Sequence, residues 1–250
     1  MSNNITNVIG TNCLNTDSAG LLNILEQKIS CKDTVIAVDF TNVHIVTARK
    51  VEEDFQHMTE HNDYFVPDSQ VLKWVVNLFG GSMTDRVYGP DFLNFTIKNS
   101  AESTTHYFLG ASQVCLDKLI TNCKIWRPNL KVRGSHNGYF TDEENQAIID
   151  DINRCKADFI WVGLGTPKRQ EWIFKNRHKI HRGVLLAVGF AFDVNAGTKS
   201  DAPQWMQPLG LTWLHRLVCE PKRLWWRYLK YNTIFLYFVL VQKLRQKKCK

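Results

Sequence analysis

After Glu220 the sequence carries no acidic residue, and nowhere does it carry a C-x-x-C pair, a G-x-G-x-x-G fingerprint or a Walker phosphate loop. Each absence narrows the reading. The seven cysteines (Cys13, Cys31, Cys115, Cys123, Cys155, Cys219, Cys249) are scattered and odd in number. They form neither a zinc pattern nor a disulfide framework, and they suit a reducing, cytosolic compartment. No His/Asp/Glu cluster has metal spacing, and no D-x-D pair lies near a strand end, so no metal and no cofactor are expected. No apolar run approaches the ~20 residues that a spanning helix needs. The first residues, MSNNITNVIGTN, lack the basic start and apolar run of a signal peptide. There is no internal repeat and no low-complexity segment.

What is present is a chain of 250 residues, 44% of them hydrophobic. That length and composition suit one sizeable domain, or a domain with an appendage. Four apolar runs read as buried strands: TVIAVDF (34–40), THYFLG (105–110), DFIWVGLG (158–165) and GVLLAVGFAF (183–192). Helical patterns at 71–79, 112–123, 142–155 and 170–180 lie between and after them. Alternating strands and helices predict an α/β fold, a Rossmann-like, mainly parallel sheet flanked by helices. We divide the chain into a core over 1–195 and a helical, basic and aromatic C-terminal appendage over 196–250.

Open parallel sheets bind ligands beyond the carboxyl ends of their strands. Four segments belong to that edge: Phe40-Thr41-Asn42, Gly110-Ala111-Ser112, GSHNGYF (134–140) and Phe192-Asp193. The motif WVGLGTPKRQEWI (161–173) joins them. Its two glycines allow close backbone approach, and the helix after Pro167 offers free N–H groups to phosphate, with Lys168 and Arg169 adding charge. The same turn also reads as an ordinary strand-to-helix connection with solvated charges. Asp68 in FVPDSQVLKW has two readings as well: an N-cap for the following helix, or a carboxylate poised as a general base. His44 and His136 are candidate bases or structural histidines.

The formal charge of +7 is concentrated late: Lys222, Arg223, Arg227, Lys230, Lys243, Arg245, Lys247, Lys248 and Lys250 follow the last acid. Arg216, Arg223 and Arg227 are interleaved with Trp213, Trp225, Trp226 and Tyr228, and Thr233 to Val241 is apolar. Arginines among amphipathic aromatics fit interfacial attachment to a membrane, and guanidinium forks equally match a diphosphate. A packed helix pair with a solvated basic end and a nucleic-acid surface are the other readings. The apolar run favours the membrane over nucleic acid.

From about residue 34 to about 235 the chain resembles the WecG/TagA/CpsF glycosyltransferases, glycosyltransferase family 26. The segments FTNVHIVTARK, FVPDSQVLKWVV, RVYGPDFL, FLGASQ, GSHNGYF, WVGLGTPKRQEWI and VGFAFDVNAGTKSDAPQWMQPLGLTWLHRLVCEPKRLWWRYL carry the likeness in that order. The resemblance implies an inverting, metal-independent enzyme. It would move a sugar (N-acetylmannosamine, its uronic acid, glucose or glucuronic acid) from a UDP-sugar to a polyprenyl-diphosphate-linked saccharide in cell-surface polysaccharide synthesis. It would work peripherally at the cytoplasmic face of the membrane, with a homo-oligomer among the implied partners and no nucleic acid.

The resemblance also assigns residues. It puts the base at Asp68. It puts donor contacts at Asn42, Arg86, Asp91, Tyr139, Gly165 and Asp193, and acceptor-diphosphate contacts at Arg216, Arg223 and Arg227. Several positions depart from the family pattern. Ser69 stands where a glycine is usual, Phe40 where a threonine is usual, and Arg169 where a glutamine is expected. Either Arg169 takes that glutamine's donor contact or, through a one-residue slip, Gln170 does. Two rival readings stand beside this one. A nucleotide-sugar epimerase or dehydrogenase would need a glycine fingerprint after the first strand, and VDFTNVH has none. A non-catalytic, membrane-associated copy of the family would tolerate the changes at Ser69 and Arg169.

Overall fold

The computed structural model describes residues 4–30 and 34–248, so Cys31, Cys249 and Lys250 lie outside it. In chain order the elements are β1 (Ile5–Val8), β2 (Thr11–Leu14), α1 (Ser18–Ile29), β3 (Val35–Thr41), α2 (Val43–Val51), α3 (Glu53–Glu60), β4 (Tyr64–Pro67) and α4 (Gln70–Leu78). There follow α5 (Gly89–Asn99), β5 (Thr105–Gly110), α6 (Gln113–Trp126), β6 (Lys131–His136), α7 (Asp142–Cys155), β7 (Phe159–Gly163) and α8 (Lys168–Asn176). The last are β8 (Gly183–Ala187), α9 (Ala191–Asn195), α10 (Thr212–Cys219) and α11 (Pro221–Lys248). The strands form one sheet in the order β1-β2-β4-β3-β8-β7-β5-β6. Among the described residues only the β1–β2 pair is antiparallel.

The predicted strands are four adjacent interior ones, β3, β8, β7 and β5, and their neighbours explain their composition. A parallel strand covered on both faces reads as a continuous apolar run. Ile36, Val38 and Phe40 of β3 face a core shared with Leu21, Phe92, Trp161 and Phe192, under α1, α5, α6 and α9. Ala37 faces the other core, built on Ile148, Ile160 and Ile173 under α7 and α8. A third cluster joins Val8, Cys13, Val46, Leu72 and Val76 to Phe235 of α11.

Some boundaries move. The run 183–192 is not one strand: β8 ends at Ala187, and Gly189, at φ +52°, turns the chain into α9. Likewise β7 ends at Gly163, and the helix after it spans Lys168–Asn176 before a 3-10 turn at Arg177–Lys179.

The C-terminal residues form a helix of 28 residues, about 42 Å long at 1.5 Å per residue. Among the described residues no helix is long and apolar enough to cross a membrane. Helix α11 packs along α2 and reaches the β1–β2 turn. Its Gln242 side chain donates to Asn7 O at 2.8 Å and accepts from Ile9 N–H at 2.7 Å. One amide thus holds the end of β1 and the first residue of the β1–β2 turn.

Candidate active site

A cavity of ≈ 580 Å³ opens beyond the carboxyl ends of β4, β3, β8 and β7, and α10 and α11 close its far side. Each strand end delivers a side chain or a gap.

After β3, Asn42 caps α2 by accepting from Ile45 N–H at 3.2 Å, and it lines the cavity. After β4 comes Asp68. Its N–H donates to Thr41 O at 2.8 Å, and its Oδ1 accepts from Gly89 N–H at 2.7 Å. The capping duty falls to Ser69, whose hydroxyl accepts from Leu72 N–H at 3.3 Å. The N-cap reading of Asp68 is therefore corrected: the serine next door frees the carboxylate for the cavity. Burial raises the Asp68 pKa, against the opposing pull of the Gly89 N–H and of Arg86, Arg169 and Arg216.

After β7, Gly163 lies against the Phe192 ring, where a Cβ would collide. The Thr166–Pro167 bond is cis, and α8 starts directly after it. That start decides which side chain of the motif reaches the cavity. Arg169 turns in, only 6% exposed, with Nη2 donating to Phe40 O at 3.3 Å and Nη1 lying on Gly189. Its Nε has no partner among the described residues. Gln170 points the other way and donates to Asp39 Oδ2 at 2.8 Å beneath β3. Lys168 is exposed and does not line the cavity.

After β8, Phe190 and Asp193 line the cavity, and Lys199 lies 3.7 Å from Asp193. Arg216 stacks over the Phe190 ring at 4.4 Å. Glu220 pairs with Arg223 and, at 3.5 Å, with Lys199. Arg227 stands beside Tyr228, and its Nε lacks a partner among the described residues. Burial lowers the Arg227 pKa, and the Arg223 and Arg216 charges push it the same way. Arg86 donates to Gln207 Oε1 at 2.8 Å and lies over Tyr88, whose hydroxyl donates to Asp201 at 2.7 Å. Sequence reading missed Tyr88, Asp201, Gln207 and Lys199, because Tyr88 meets Asp201 and Gln207 meets Arg86 over more than a hundred residues, and Lys199 meets Glu220 at the α10–α11 junction.

Six cationic side chains (Arg86, Arg169, Lys199, Arg216, Arg223, Arg227) thus face three acids (Asp68, Asp193, Glu220) around one cavity. Like charges held this close, two of them with an unpaired buried Nε, suit a multiply charged anion such as a diphosphate. His44 lines the same cavity and packs edge-on against Tyr231 at 4.4 Å. Burial first, then Arg227, Arg169 and Lys230, push its pKa down to about 3, so it is neutral near pH 7.

Three expected contacts lie elsewhere. Tyr139 is 79% exposed in the loop after β6, outside the cavity. Asp91 sits in the first turn of α5, also outside its lining. Gln170 is tied to Asp39. Of the predicted strand edges, those of β5 and β6 do not line the cavity either.

The family model described as the glycosyl transferase WecG/TagA/CpsF family matches residues 6–249. Among curated proteins, the N-acetylglucosaminyldiphosphoundecaprenol N-acetyl-beta-D-mannosaminyltransferase of Bacillus subtilis (strain 168) is 24% identical over 236 residues, covering 94% of this chain and 90% of that protein. The protein of the same name from Staphylococcus aureus (strain NCTC 8325 / PS 47) is 26% identical over 210 residues, covering 84% and 81%.

Proposed function

The chain belongs to the WecG/TagA/CpsF glycosyl transferase family, and from that premise we propose that it transfers N-acetylmannosamine from its UDP derivative to N-acetylglucosaminyl-diphospho-undecaprenol. The relatives' names supply the sugar and the acceptor. The cavity supplies the chemistry. The observation that carries the reading is Asp68: of the three cavity acids, Asp193 and Glu220 are paired with Lys199 and Arg223, while among the described residues the Asp68 side chain takes only the Gly89 N–H.

In this mechanism the acceptor hydroxyl gives its proton to Asp68 as its oxygen attacks the anomeric carbon. The new C–O bond forms as the bond to UDP breaks, and the electron pair leaves with the diphosphate. One displacement inverts the anomeric centre and needs one base. Charge grows on the leaving diphosphate, and preorganised guanidinium groups offset it without reorganising. Arg86 and Arg169, fixed from the sheet side, suit the donor, with Asn42, Gly165 and Asp193 beside them. Arg216, Arg223 and Arg227 suit the acceptor diphosphate. We place the enzyme peripherally at the cytoplasmic membrane face, where the exposed Trp225 and Trp226 and the basic end of α11 meet anionic lipid.

UDP release tests this, using N-acetylglucosaminyl-diphosphate on a prenyl chain as acceptor. Release with UDP-N-acetylmannosamine, dependent on acceptor and undiminished by EDTA, is expected. Release only with UDP-glucose or a uronic-acid donor would correct the sugar. UDP binding without release from any donor would favour a non-catalytic family copy, a role to which the Arg169 departure lends itself.

A further inference from the structure

Two helices, α4 and α11, both lead away from the mouth of the cavity. Val71 of α4 and Leu236 of α11 both line it. Seven residues further on, Leu78 O accepts from Lys243 Nζ at 2.9 Å. Both helices therefore advance together over about two turns, roughly 10 Å. Val71, Val75 and Phe79 of α4 and Phe238 and Val239 of α11 pack against one buried cluster that includes Phe235, the seam between the two helices.

Above that seam lie Trp74 and Leu78 on α4, four residues apart, and Leu236 and Leu240 on α11, also four residues apart. They are 45%, 46%, 65% and 60% exposed. The Trp74 ring stands over Gly210, itself part of the cavity wall. The result is an apolar trough that starts at the arginine-lined cavity and ends at Lys243. Four large apolar side chains in one exposed strip are costly in water without an occupant.

We infer that α4 and α11 form the track for the first isoprene units of the acceptor's prenyl chain, a step that rests on the acceptor proposed above. Continuity is the argument. A diphosphate gripped by Arg216, Arg223 and Arg227 would lead its chain out through the mouth, and the trough is the apolar path that begins there. Its length matches about two isoprene units. The track makes acceptor selection depend on chain chemistry next to the diphosphate, not on headgroup alone.

The test uses the full chain and two soluble probes, farnesyl diphosphate and inorganic pyrophosphate, with binding followed by calorimetry. Wild type should bind farnesyl diphosphate at least ten-fold more tightly. Leu78→Gln/Leu240→Gln should lose most of that difference while keeping pyrophosphate affinity. A farnesyl advantage that survives in the double variant would overturn the track. Equal affinity of wild type for the two probes would also overturn it. Loss of vesicle binding by the double variant, with farnesyl diphosphate affinity intact, would reassign the trough to the membrane surface. None of these readings requires sugar transfer, so failure here and failure of the transferase proposal stay distinct.

Discussion

The two walls of the cavity are built on different principles. The sheet wall is fixed by backbone: Asp68 is held through Thr41 and Gly89, Arg169 through Phe40 O, and Asn42 through Ile45. The helical wall is fixed by side chains, through the Lys199–Glu220 and Arg223–Glu220 pairs and the stacking of Arg216 on Phe190. Backbone bonds inside a sheet persist as long as the fold does. Ion pairs that keep access to water exchange readily and weaken with salt. On the proposed reading, the first wall holds the base rigidly and the second offers adjustable charge to a lipid-linked substrate.

The largest break in that comparison comes from Asp68→Asn. Turnover should fall by about 10²–10⁴ with the melting temperature nearly unchanged, since the amide oxygen still accepts from Gly89 N–H. Wild-type kcat/KM should carry an acid limb, because the base works deprotonated and its raised pKa moves the loss of rate above the usual carboxylate range. As pH falls through that value the rate should drop with unit slope. His44→Gln should leave the limb in place, since that imidazole is already neutral. A limb that vanishes with His44 would move the base away from Asp68.

Arg227→Ala should act on the other wall. Acceptor KM should rise about ten- to hundred-fold, with a smaller effect on donor KM, and Arg227→Lys should restore little, because a lysine lacks the planar fork. Equal effects on the two substrates would erase the division between walls. The smallest change is expected from Gln242→Ala, which removes the two hydrogen bonds to the β1–β2 turn. Stability should fall by about 1–2 kcal/mol in denaturant titration, and acceptor KM should rise modestly while donor KM stays.

How much of this was legible in the sequence depended on burial. β3, β5, β7 and β8 are covered on both faces and so announce themselves as apolar runs. β6 alternates between exposed and half-buried positions, and β1, β2 and β4 have four residues each, too few to show a period. Asp68 was visible as a candidate, but its freedom was not, because it depends on which of two adjacent residues caps α4. The choice between Arg169 and Gln170 was likewise closed to sequence. Neighbouring helical positions point about 100° apart, and only the start of α8 after Pro167 fixes the phase. The resemblance supplied the arginines at 216, 223 and 227, and the fold shows why they meet: α10 and α11 return over the strand ends.

The grip of Gln242 on the β1–β2 turn also has a bearing on synthesis. Ribosomes deliver a chain in order, so the sheet and Asp68 emerge well before α11 does. Until residues 221–248 have been made, the first hairpin lacks its clamp and the cavity lacks Arg223 and Arg227. A nascent chain therefore holds Asp68 without Arg223 and Arg227 facing it. On the proposed reading, affinity for a lipid-linked substrate arrives only with α11.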